Sequence, residues 1–140
     1  EFVDLDGILS RSDIITLHVP LNEETTGLIN ARNVEKVKRG ATLINTARGP
    51  VIEGLDFLHE CLQQGIFGAI GLDVFPDEPP DTSHPLFRDP RCYLTGHVAA
   101  RSPISQQRIL DTMLKETLAL LHGEMPNPSN IVNPEVLPRP

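Results

Sequence analysis

Four short apolar runs in this chain each end in residues able to bind an acid or move a proton. The first ends in His18-Val19-Pro20 and the second in Asn45-Thr46-Ala47-Arg48-Gly49. The third passes through Asp73 into a loop with Asp77 and Glu78, and the fourth ends at Thr95-Gly96-His97. An imidazole beside a carboxylate has its protonated form stabilised and can serve as a proton donor near neutral pH. A guanidinium offers a planar fork that grips a carboxylate at two points and polarises a neighbouring carbonyl. Together these groups suit a small oxo or hydroxy acid. No Ser-His-Asp arrangement or nucleophilic cysteine is indicated, so the missing electron carrier is expected to be a dinucleotide.

For these residues to converge, the runs before them must be parallel strands, because ligands bind outside the carboxyl ends of an open parallel sheet. Asp13–Val19, Ala41–Ala47, Phe67–Phe75 and Cys92–Val98 read as four strands. Nearly continuous apolar residues in the first two predict burial on both faces. Helices are expected between them: Leu5–Ser10, Ala31–Arg39 capped by Asn30, and Glu53–Gln64 with Leu55, Leu58 and Leu62 on one side. A longer helix follows the last strand. Ser102 is its N-cap, Pro103 its first residue, and Leu110, Met113, Leu114, Leu118 and Leu121 its apolar stripe, read as a packing face. The fold class predicted is α/β, the second half of a Rossmann-like doubly wound parallel sheet with helices on both faces. Residues 1–101 are assigned to the dinucleotide domain and 102–140 to a crossing helix and tail.

With 140 residues and 39% hydrophobic content, the chain is an ordinary globular sequence of at most one domain. Its net charge of -7 argues against nucleic acid or an anionic membrane as main partner. Two cysteines without framework or metal-ligand spacing fit a reducing, cytoplasmic setting. Of thirteen prolines, five fall between Pro76 and Pro90 and five after Met125, marking a long loop and a tail. The first residue is Glu1, and Asp13–Val19 is too apolar for an open edge. Both point to a piece of a larger domain, which would be inactive by itself.

The stretches SDIITLHVPLNEETTGLIN, GATLINTARGPV, GLDVFPDEPP and LTGHVA occur in this order and together resemble the D-isomer-specific 2-hydroxyacid dehydrogenases, from about Leu5 to Pro134. The resemblance implies an oxidoreductase that moves hydride between NAD or NADP and a D-2-hydroxy or 2-oxo acid. It implies that Arg48 binds the substrate carboxylate, that His97 is the acid/base, and that Glu78 pairs with His97. It also implies cofactor contacts from Pro20, Thr25, Thr46, Ala47, Arg48, Asp73, His97 and Ala100, and a homodimer of the longer protein; no metal is expected, on the spacing of the cysteines and acids. The tail PSNIVNPEVL resembles the phosphoglycerate dehydrogenase and glyoxylate/hydroxypyruvate reductase branch. The family usually has Pro before the catalytic His, whereas Gly96 stands here and frees the backbone. No G-x-G-x-x-G occurs in these residues. A different class of function, a dinucleotide-responsive binding or regulatory protein with little turnover, is the alternative.

Other conspicuous residues have plainer readings. His59, His84 and His122 are expected on the surface or as fillers, with His84 shaping its loop, and His18 is left outside the catalytic set. The acids Asp73, Asp77, Glu78 and Asp81 lack the glycine-punctuated spacing of a calcium loop. Arg32, Lys36, Lys38 and Arg39 read as a solvated helix face.

Overall fold

The computed structural model describes residues 1–133 and 135. They form two compact units, Glu1–Ala99 and a second that begins at Ala100. The end of the tail motif PSNIVNPEVL lies outside the described residues.

The first unit is built on four parallel strands in the order β1-β2-β3-β4, spanning Ile14–Leu17, Ala41–Asn45, Phe67–Leu72 and Cys92–Leu94. Each lies inside its expected run and, apart from Asn45 at the last position of β2, stops short of the polar residues, which therefore stand in loops on a single rim. Two α-helices accompany the sheet, α1 at Leu5–Arg11 and α2 at Leu55–Gln63. The side chain of Asp4 caps α1 by accepting from Gly7 N–H at 2.8 Å. On α2 the buried side is Leu58, Cys61 and Leu62, at the three- and four-residue spacing of one helical face.

Leu9 of α1, Leu58 and Leu62 of α2, and Ile15, Leu17, Leu43, Phe67 and Ile70 of the sheet share one core cluster. Burial of each such side chain stabilises by roughly 1.5–3 kcal/mol. Coverage of both faces is not met within this unit. β1 alternates, with Ile15 and Leu17 buried and Ile14 63% exposed, and Tyr93 on β4 is also exposed. The strand order explains this: a sheet that grows in one direction by right-handed crossovers puts every connection on the same side.

The helix expected over Ala31–Arg39 is instead a run of turns ending in a short 3-10 segment, Val34–Lys36. Asn30 and Asn33 are the cause. Asn33 donates to Leu28 O at 2.7 Å and accepts from Asn30 N–H at 3.0 Å, while Asn30 accepts from Arg32 N–H at 2.9 Å. These local bonds give the backbone partners that compete with a helix. The basic residues there are partly neutralised, Lys36 by Asp6 at 2.5 Å and Lys38 by Asp13 at 2.6 Å. Arg39 donates to the carbonyl of Gln64.

In the second unit, α3 runs from Pro103 to Leu121, and Ser102 caps it by accepting from Ser105 N–H at 3.1 Å. Its apolar stripe of Leu110, Met113, Leu114, Leu118 and Leu121 is exposed. No helix among the described residues is long and apolar enough to cross a membrane.

Candidate active site

The rim of the first unit joins its loops by main-chain bonds. After β1, Gly27 and Ile29 donate to Pro50 O and Val51 O, at 2.9 and 3.2 Å, in the segment that follows β2. That segment in turn meets the loop after β3. A Cβ placed on Gly49 would lie 2.0 Å from the carbonyl carbon of Phe75, so only glycine lets the two backbones pass. Asp73 then links β3 to the turn after β4.

Arg48 leaves the end of β2 on a turn shaped by Asn45, whose buried amide accepts from Ala47 N–H at 3.0 Å and donates to Arg48 O at 2.9 Å. The sequence places Asn45 at this strand end but assigns it no role. Its signal is a buried amide at the end of an otherwise apolar strand. The guanidinium of Arg48 donates to Ala47 O at 2.7 Å, and the residue is exposed to the rim.

Asp73 is 4% exposed. One carboxylate oxygen accepts from Thr95 Oγ1 at 2.5 Å and Val98 N–H at 2.9 Å, and the other accepts from Ala99 N–H at 2.9 Å. Burial alone would raise its pKa. The bonds from Thr95, Val98 and Ala99, with the charge of His97, outweigh burial and hold it below the ordinary 3.8.

His97 sits at the tip of this turn in the left-handed region, φ 55°, and its N–H donates to Asp73 O at 2.8 Å. Nδ1 lies 2.8 Å from Oε2 of Glu78. A carboxylate can only accept, so the Nδ1 proton points at Glu78 and Nε2 is the nitrogen left to face a reacting oxygen. The carboxyl of Glu78 is held below its ordinary 4.5, first by the bond from His97 and next by Phe75 N–H at 3.1 Å. Partial desolvation opposes this, and the charges of His97 and Arg48 add to it. Thus Arg48, Glu78 and His97, from three different strand ends, stand in one electrostatic group.

The expected cofactor residues divide. Thr46, Ala47 and Asp73 stand at adjacent strand ends, and Thr46 and Asp73 also line a groove of about 520 Å³ on the open sheet face, with Thr42, Ile44 and Tyr93. That groove contains none of Arg48, Glu78 and His97. Thr25 closes the turn after β1, its hydroxyl donating to Pro20 O at 2.6 Å and accepting from Asn22 N–H at 2.9 Å. Ala100 opens the second unit. A nicotinamide ring needs small neighbours and a polar partner for its carboxamide. Thr46, Ala47 and the one acceptor position left on Asp73 fit that end of a dinucleotide. The glycine turn for the pyrophosphate is not among these residues. Among the described residues, no group of three or more His, Cys, Asp or Glu could hold a metal ion.

A four-stranded parallel sheet with a histidine–carboxylate pair and an arginine at its carboxyl rim has the architecture of a dinucleotide-binding domain. Residues 1–99 match the family model for the D-isomer specific 2-hydroxyacid dehydrogenase, NAD binding domain, and the chain belongs to that family. It is 43% identical over 137 residues to a glyoxylate reductase of Thermofilum pendens, covering 98% of this chain and 40% of that protein. Among solved structures it resembles a D-lactate dehydrogenase with NAD+ from Lactobacillus jensenii, with a TM-score of 0.80 and 30% identity over 89% of this chain and 41% of that one. It also resembles a D-isomer specific 2-hydroxyacid dehydrogenase of Xanthobacter autotrophicus Py2 in complex with NADPH and MES. There the TM-score is 0.77 and the identity 32%, over 94% of this chain and 52% of that one. The chain thus spans about 40% of the length of the glyoxylate reductase it matches.

Proposed function

We propose that this chain supplies the acid/base and nicotinamide side of an NAD- or NADP-dependent dehydrogenase acting on a small D-2-hydroxy acid or the matching 2-oxo acid. The observation that carries this reading is the 2.8 Å contact between His97 Nδ1 and Glu78, with Arg48 adding its charge to the same group. Arg48 holds the substrate carboxylate and polarises the adjacent carbonyl. His97 gives the proton on Nε2 to the carbonyl oxygen during reduction and takes it back during oxidation. Glu78 fixes the ring and offsets the charge of its protonated form. Hydride to or from the substrate carbon is the chemistry that a bound nicotinamide supplies.

The same reading includes a homodimer of the longer enzyme and a cytoplasmic setting. What supports the setting is that Cys61 and Cys92 are free; burial pushes both thiols up to about 11, which makes them poor nucleophiles.

A hybrid enzyme tests the activity directly. Replacing the matching segment of the Thermofilum pendens glyoxylate reductase by this chain should preserve oxidation of NADH or NADPH by glyoxylate or hydroxypyruvate. His97→Ala in the hybrid should lower kcat by about 10²–10⁴-fold, the range for a lost general acid. A folded hybrid that turns over equally well with His97→Ala overturns the assignment.

A further inference from the structure

Glu78 lies in a long connection, residues 73–91, between β3 and β4. Holding a carboxylate at 2.8 Å from its imidazole in such a loop requires anchors, because a free loop would lose that geometry to conformational entropy. On the near side the anchors are clear. Phe75 is buried and stacks on Phe87 with ring centroids 5.5 Å apart, and the Gly49 backbone lies against Phe75 and Pro76.

The far side ends in His84, whose side chain is 16% exposed. Its Nδ1 accepts from Leu86 N–H at 3.2 Å, and Leu86 is fully buried in the core. That bond makes Nδ1 the acceptor, so the proton is on Nε2, which donates to Asp56 Oδ1 at 3.0 Å. Asp56 belongs to the first turn of α2, and its side chain is fully exposed. Gly54 and Asp56 on one side and Pro76, Asp77, Pro80 and Asp81 on the other bound a cleft of about 260 Å³, and His84 spans it. Between His84 and Glu78 the chain is stiff. Pro79 and Pro80 have fixed φ, and the next turn is held by Asp81, which accepts from Ser83 N–H at 2.9 Å and through its carbonyl from His84 N–H at 3.3 Å.

We propose that His84 and Asp56 are positioning residues that peg the Glu78 loop to α2 and so hold the Glu78 carboxylate on His97. This deepens the reading of Glu78 and His97 as the acid/base pair and rests on it. A single hydrogen bond from a neutral imidazole to a carboxylate out in solvent contributes little to global stability. This one ties the loop to the first turn of α2, beside the edge-on contact of the His84 and His59 rings at 6.0 Å and ahead of the Pro85–Arg88 turn that packs on the same helix.

The test is a carbon-13 NMR titration of the Glu78 carboxyl in the 140-residue chain, comparing wild type with His84→Ala, Asp56→Ala and Asp56→Asn. Wild-type Glu78 should titrate below 4.5, because His97, Phe75 N–H and Arg48 all favour its charged form. Both alanine variants should move that midpoint up towards 4.5, the ordinary value. Asp56→Asn keeps an acceptor oxygen for His84 and should stay with wild type. Folded alanine variants with an unmoved Glu78 midpoint overturn the proposal, even if their melting temperatures fall. Should His84→Ala fail to fold, Asp56→Ala at its exposed position decides alone. A wild-type Glu78 that already titrates at 4.5 overturns the pairing with His97 as well, which separates the two failures.

Discussion

Asp73 holds His97 through the main chain: its carbonyl accepts the His97 N–H at 2.8 Å while its carboxylate takes the N–H groups of the two residues that follow. The imidazole is thereby presented outwards by a buried anion whose hydrogen bonds come from Thr95 and the main chain of the turn. Asp73→Asn would set an amide N–H2 against a backbone donor, Ala99 N–H or Val98 N–H. The expected cost is about 1–3 kcal/mol, measured by urea unfolding. The same group shapes the acid limb of stability. The folded pKa of Asp73 lies below 3.8 and that of Glu78 below 4.5, while Asp89, beside Arg91, is held down at about 2. In each case the unfolded chain binds protons first. Their stabilisation is complete above the ordinary carboxylate values and is lost as pH falls through the lower folded values. Unfolding midpoints should therefore drop between about pH 4.5 and pH 2, and less steeply in Asp73→Asn. A flat profile over that window contradicts the account.

Gly49 gives a second expectation. The added methyl of Gly49→Ala would meet Phe75 C and O at 2.0 and 2.1 Å, and these are backbone atoms that no rotamer change can move. Overpacking of this kind costs about 1–3 kcal/mol. The loop carrying Glu78 must shift to admit it, so the Phe75 and Glu78 amide resonances should move together with the loss of stability. An unaltered spectrum at full stability would show that the backbones do not meet as described.

Gly96 leads the other way. A Cβ built there meets nothing within 4 Å, and its backbone lies outside the left-handed region. Gly96→Ala should stabilise by about 0.4–1 kcal/mol, chiefly by restricting the unfolded chain. The His97 turn is held by Asp73 whichever residue precedes it, so the Glu78 titration should not change. Loss of stability on this substitution would mean that the turn needs glycine for a reason the geometry does not contain.

Strand positions and the long helix were legible because their signals are strong: β-branched runs closed by Pro or Gly, and Ser102-Pro103 ahead of a 3.6-residue stripe. The segment from Ala31 to Arg39 was not, because Asn30 and Asn33 spend their amides on nearby backbone groups, a local competition that hydrophobic periodicity does not register. Arg48, Glu78 and His97 could be named from strand ends and family motifs. The main-chain role of Asp73 and the turn-shaping role of Asn45 could not, since both depend on which N–H groups a fold brings near a buried polar side chain. The sequence marks His84 as a residue that shapes its loop, and it lies in that loop. Its partner Asp56 lies 28 positions away and carries no local signal.

The loops at the rim are braced in series: the first against the second through Gly27 and Ile29, the second against the third through Gly49, the third against the fourth through Asp73. They form a collar rather than four independent fingers. Grafting one of them from a relative with a different substrate preference would strain its neighbours. The exchangeable part for engineering is the entire collar, carried from Gly27 to Ala99 as a block.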